Sequence, residues 1–249
     1  MKAVSVASCL SFIVAFSCLF PAEAGESRGT TSLEDAGERY KSAIVFHEIK
    51  YYDQSINQLK KIVQDYPDSK WADDARYMIG YFYLYDKRDF KNAVVAYQSF
   101  LEAHPKHNYA MKAQIEIGNS FYMQGNYTEA INAYRKAIED YTTTSNLRAD
   151  LTYRMGNCYR WLKDYESAVA EYKKIVVDYR DLPIAASAQY QMGNVYAASG
   201  GANKAKEAYG EVISRFSKSP LAASAKKSIE LLEERRAPEG RRDSGSENR

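Results

Sequence analysis

The chain has 249 residues, 45% hydrophobic and 27% charged, which is enough for one substantial folded body and fits neither a disordered tail nor a membrane bundle. Thirty-four basic residues against thirty-two acidic ones leave a formal charge of +2, too little for a nucleic-acid-binding surface. Of Cys9, Cys18 and Cys158, only the last lies outside the N-terminal apolar segment, so no intramolecular disulfide framework is expected.

Lys2, the apolar run Ala3 to Phe20, Pro21 and then Ala22-Glu23-Ala24 before Gly25 read as a secretory signal peptide over residues 1–24. An uncleaved anchor and acylation at Cys18 or Cys9 are the competing readings. Bulky Phe16 sits poorly beside a lipidation site at Cys18, and little apolar sequence precedes Cys9. The expected location is the periplasm, with membrane association only through lipidation or a membrane-protein partner. Residues 25–33 form a polar linker, and Ser32 with Asp35 is positioned to cap the first helix.

From Glu34 onward the sequence repeats. A small residue recurs at Ala43, Gly80, Gly118, Gly156 and Gly193, and the glycines are separated by 38, 38 and 37 residues. An aromatic follows three places later at Phe46, Tyr83, Phe121, Tyr159 and Tyr196. Asp89-Phe90, Asn126-Tyr127 and Asp164-Tyr165 then open second helices, with Asp or Asn as the cap. Within those helices Ala93, Ala130, Ala168 and Ala205, with Ser55 in the first unit, mark a second close approach. Leu59, Tyr97, Tyr134, Tyr172 and Tyr209 fill the space beside it. Interior glycine costs a helix roughly 1 kcal/mol relative to alanine, so a close crossing of two helices is expected to offset it. A fixed period of this size means stacked hairpins with one continuous core.

This pattern resembles the tetratricopeptide repeat over residues 34–236. The resemblance implies an all-α fold: a right-handed α-solenoid of five tetratricopeptide helix-turn-helix repeats plus a C-terminal capping helix, Ala222 to Arg236. The long linkers, such as Tyr66-Pro67-Asp68-Ser69 and Phe216-Ser217-Lys218-Ser219-Pro220, look like those of two bacterial envelope families. One is the Tol-Pal-associated CpoB (YbgF) family, which implies coordination of outer membrane and cell wall. The other is the outer-membrane assembly lipoprotein BamD family, which implies β-barrel protein assembly. Residues 237–249 carry Gly, Ser and charge without an apolar face and read as a disordered tail.

No signature of catalysis, cofactor or phosphate binding occurs, and the repeats leave no separate catalytic domain, so the protein is expected not to be an enzyme. A metal-binding or enzymatic alternative would rest on His104, His107 and nearby acids. On each first helix, the positions three before and one, four and five after the small residue form a stripe away from the packed side. The residues of that stripe that best fit a peptide-binding groove are Tyr81, Tyr85, Asn119, Tyr122, Asn157, Arg160, Trp161 and Asn194. Tyr, Trp and Arg dominate interface energetics, and asparagine amides bond peptide backbone. The centre is expected around Tyr81, Tyr122 and Trp161, with packing on the adjacent unit as the alternative for Tyr77 and Tyr153. The expected partner is a protein or extended peptide in the concave groove. Basic residues are nearly absent from the stripe, which argues against an acidic peptide C terminus. Oligomeric state is left open.

Overall fold

Eleven α-helices, in five hairpins and one closing helix, make up the residues described by the computed structural model, 31–236. The hairpins are α1 (Thr31–Glu48) with α2 (Tyr52–Asp65), α3 (Lys70–Tyr81) with α4 (Phe90–Ala103), and α5 (Ala110–Met123) with α6 (Tyr127–Asp140). They continue with α7 (Ser145–Trp161) and α8 (Tyr165–Asp178), then α9 (Ile184–Ala198) and α10 (Ala202–Arg215); α11 (Leu221–Arg236) closes the stack. Each helix packs on the next in sequence, so buried clusters run from unit to unit as the repeat period requires. This is the expected all-α solenoid of five repeats with a capping helix. Helix α1 is described from Thr31 onward, so it includes Glu34, where the repeats were expected to start. The expected signal peptide 1–24, residues 25–30 of the linker, the tail 237–249 and the side chain of Ser32 lie outside the described residues. No helix among the described residues is long and apolar enough to cross a membrane.

The glycines make room for a ring rather than for a helix backbone. A Cβ on Gly80, Gly118, Gly156 or Gly193 would lie 2.8, 2.5, 2.6 or 2.4 Å from the ring of Tyr97, Tyr134, Tyr172 or Tyr209. Those separations are far inside carbon–carbon contact, so any side chain there displaces the ring. The rings are almost wholly buried, and that burial offsets the helix propensity lost at glycine. Unit one uses the converse pair, Ala43 with Leu59, both buried in one cluster.

Four hairpins turn alike. One residue takes a left-handed backbone, Lys50 (φ 63°), Gly125 (φ 79°), Lys163 (φ 60°) or Gly200 (φ 81°). The next amide then donates to the carbonyl five residues back: Tyr51 to Phe46 at 2.8 Å, Asn126 to Phe121 at 3.0 Å, Asp164 to Tyr159 at 3.0 Å and Gly201 to Tyr196 at 2.8 Å. Asp89 and Asp164 cap their helices by accepting from the Asn92 and Ser167 amides, each at 3.1 Å. Asn126, expected to act likewise, makes no side-chain cap among the described residues; its neutral amide is a weaker acceptor than the two carboxylates.

The second hairpin departs from this plan. Gly80 to Asp89 spans nine residues where Gly118 to Asn126, Gly156 to Asp164 and Gly193 to Gly201 span eight. The extra residue is absorbed in a π-helical turn, Phe82–Asp86, where the Lys87 amide donates to Phe82 at 3.0 Å and the Asp89 amide to Tyr83 at 2.8 Å. Arg88 takes the left-handed position that follows (φ 53°).

Candidate functional site

A groove of about 630 Å³ opens across units two, three and four, lined mainly by the π turn, α5 and α7. Of the eight residues singled out in the sequence, Tyr85, Asn119, Tyr122 and Asn157 line it. Tyr81 stands behind, its ring 4.7 Å from that of Tyr85. Trp161 and Arg160 are not part of the lining but adjoin it through Tyr122: Trp161 Nε1 donates to the Tyr122 hydroxyl at 2.9 Å, and the Arg160 guanidinium lies 5.1 Å from the indole. The indole also stacks on Tyr127, 6.0 Å away and 9° from parallel. Asn194 does not line this groove.

The asparagines have a structural duty that the sequence reading did not assign. Tyr134, Tyr172 and Tyr209 donate their hydroxyls to Asn119, Asn157 and Asn194 Oδ1 at 2.8, 2.7 and 2.7 Å. Each amide oxygen thus satisfies the ring lying over its own unit's glycine, because a buried hydroxyl without a partner is costly. Asn119 and Asn194 spend their nitrogens too, on Glu116 at 2.9 Å and Gln191 at 3.1 Å. The Asn157 nitrogen has no partner among the described residues. In unit two Tyr81 replaces the asparagine, and the buried Tyr97 and Tyr77 hydroxyls have no partner among the described residues. Burial pushes the phenols of Tyr77, Tyr97, Tyr134 and Tyr172 well above the usual range. Tyr77 packs among Tyr97, Phe100 and Tyr109 as core, whereas Tyr153 touches Tyr172 and also lines the groove.

The charges of the groove correct one expectation. Basic residues are present: Arg88 and Arg154 both line it. Arg154 is held by Asp150 at 2.7 Å and donates to Asn119 Oδ1 at 3.0 Å, while Arg88 has no partner among the described residues. Glu116, only 6% exposed, accepts from the Tyr85 hydroxyl at 2.8 Å. The four positions read on each helix omit those two and six residues before the small one. At 100° per residue these fall inside the same arc or within about 20° of it, which is where Glu116, Arg154 and Asp150 stand. Arg88, in a turn beyond the helix, has no place on such a wheel.

Elsewhere the polar groups are tied into the scaffold. His104 Nε2 lies 2.8 Å from Asp73 Oδ1 and 3.1 Å from Arg76 Nη1, and its ring is 6.3 Å from that of His107. Among the described residues no group of three or more His, Cys, Asp or Glu side chains is arranged to hold a metal ion. His47 stacks on Phe82 at 4.2 Å and bonds Asp86 at 3.1 Å, joining unit one to the π turn. Cys158 is buried, and burial pushes its thiol up to about 12, which makes it a poor nucleophile.

A tetratricopeptide repeat profile matches residues 77–138 and 115–183, and a second profile of the same description matches residues 187–219; together they take in more than half of the chain. None of the curated proteins matches. Among solved structures, a tetratricopeptide repeat protein from Parabacteroides merdae ATCC 43184 superposes with a TM-score of 0.61 at 14% identity, over 82% of this chain and 76% of that one. MamA from Desulfovibrio magneticus RS-1 gives 0.57 at 15% identity, over 78% and 99%. YrrB, described as a TPR protein with an unusual peptide-binding site, gives 0.56 at 19% identity, over 81% and 98%. At these identities the structural matches speak to the fold.

Proposed function

The chain belongs to the tetratricopeptide repeat family, and from that premise we propose that it is a non-enzymatic scaffold holding a segment of a partner protein in the groove of units two to four. The observation that carries the reading is a ladder of half-exposed apolar side chains. Tyr85, Met123 and Trp161, each five residues after its unit's glycine, are 50, 48 and 51% exposed. The matching positions at the two ends of the stack are Glu48 and Ala198, so the large side chains are confined to the units that form the groove. Large apolar groups left in water beside a cleft are the mark of an interaction surface. YrrB, whose description names a peptide-binding site, offers a parallel of the same fold.

The finer reading places this scaffold in the periplasm, brought there by the signal-like residues 1–24, and in cell-envelope machinery of the CpoB kind. Two measurements test the two levels. A photo-crosslinking residue at Met123 should trap a partner that one at Val95, exposed on the second helix α4, does not, and Trp161→Ala should weaken the trapping while helicity and melting stay unchanged. Equal trapping from both positions sinks the groove. The mass of the protein from cell envelopes decides its form: a free Gly25 amine supports a soluble periplasmic adaptor, an acylated cysteine shifts the role to the BamD kind, and an unprocessed chain removes the cleaved-signal reading in favour of an uncleaved anchor.

A further inference from the structure

We propose that the groove selects an acidic segment, one whose large apolar side chains run along Tyr85, Met123 and Trp161 and whose carboxylate is taken by Arg88. This rests on the groove being a peptide site and adds the charge of what it takes.

Most of the groove's acceptors are engaged. Asn119 Oδ1 receives the Tyr134 hydroxyl at 2.8 Å and Arg154 Nη1 at 3.0 Å, and Asn157 Oδ1 receives the Tyr172 hydroxyl at 2.7 Å. Glu116 Oε2 accepts both the Tyr85 hydroxyl and the Asn119 amide, at 2.8 and 2.9 Å, and Asp150 Oδ2 accepts from Arg154 at 2.7 Å. What stays open is a set of donors. Among the described residues the exposed Arg88 guanidinium and the Asn157 amide nitrogen are unpaired. The Tyr122 oxygen accepts from Trp161 and keeps its own proton to give. A ligand bringing only donors would leave these groups unpaired once water is expelled. A carboxylate satisfies a guanidinium with two parallel bonds, whereas a lysine-rich segment would meet the unpaired Arg88 as a like charge.

The insertion in unit two bears on the same point. The π turn carries Tyr85, the side chain that masks the buried carboxylate of this face. Two residues beyond it stands Arg88, in a left-handed conformation that two sister turns give to glycine and two to lysine. That conformation costs an arginine more than a glycine, and here the costlier residue puts a positive charge on the groove's rim.

Selection of random peptides displayed on phage against the full chain tests the proposal, with the enriched peptides titrated against wild-type, Arg88→Glu and Trp161→Ala proteins. Enriched sequences should carry Asp or Glu beside large apolar residues, and Arg88→Glu should weaken them by about tenfold or more. Peptides without acidic residues, weakened by Trp161→Ala but indifferent to Arg88→Glu, overturn the charge selectivity and leave the groove standing. Peptides indifferent to both substitutions, or no enrichment at all, overturn both. Arg88→Gly repeats the charge test with a residue suited to that backbone, should Arg88→Glu disturb the turn.

Discussion

In unit four, Tyr172 lies over Gly156, its hydroxyl is received by Asn157 at 2.7 Å, and the hairpin closes through Lys163 in the same manner as three others. In unit two, Tyr97 lies over Gly80 in the same way, but Tyr81 stands where the asparagine should be, the buried hydroxyl is left without a partner among the described residues, and the first helix ends in a π turn. Both units keep the ring over the glycine, so that contact belongs to the stacking of hairpins. What unit two gives up is local polar satisfaction and a regular turn, and it gives them up where Tyr85 and Arg88 enter the groove. Departures from a repeat are expected where function competes with packing.

The shared contact should yield the largest effect. Gly156→Ala raises helix propensity by about 1 kcal/mol, yet it places a carbon 2.6 Å from the Tyr172 ring, so a net loss of about 2 kcal/mol is expected in urea unfolding. Gly80→Ala should cost less, because Tyr97 stands 2.8 Å away and has no hydroxyl bond to lose when it moves. Pairing Gly156→Ala with Tyr172→Leu, which copies the Ala43 and Leu59 of unit one, should recover much of the loss. A neutral Gly156→Ala would show that the ring does not need that space.

The hydroxyls give the sharper contrast, since one substitution should change sign between the two units. Tyr172→Phe strands the Asn157 oxygen and should cost about 1 kcal/mol, whereas Tyr97→Phe removes an unpaired buried hydroxyl and should be neutral or stabilising by up to about 1 kcal/mol. Losses of equal size in both units would mean that Tyr97 has found a partner and that unit two is ordinary.

Much of this was legible beforehand because packing repeats with the chain. The small position, the aromatic beside it and the closing helix recur at fixed spacing, so composition at those sites was enough to define five hairpins. The π turn was hidden by the way a period is counted. Gly80 to Gly118 and Gly118 to Gly156 both span 38 residues, but Gly80 to Tyr97 spans 17 where Gly118 to Tyr134 spans 16. Unit two carries its extra residue inside the hairpin, and unit three carries it in the linker after α6, so the two cancel in the glycine spacing. The asparagines misled for a different reason: a wheel shows that Asn157 points away from the partner helix, but not that a tyrosine hydroxyl fifteen residues on reaches back to it. Arg154 and Glu116 were missed only because the arc was sampled at four positions.

The smallest expected effect separates the backbone of the two turns from their charge. Arg88 and Lys163 occupy the same left-handed position, at φ 53° and φ 60°, and both are exposed. Glycine adopts that conformation without strain but loses more entropy on folding, so Arg88→Gly and Lys163→Gly should each stabilise by a few tenths to about 1 kcal/mol. Their consequences for binding should diverge, because Arg88 lines the groove and Lys163 does not. For Lys163→Gly only the urea midpoint should rise, whereas Arg88→Gly should raise the midpoint and lower the affinity for acidic peptides. If Arg88→Gly loses stability, its side chain has a packing role and the turn of unit two is more than a displaced copy of the turn in unit four.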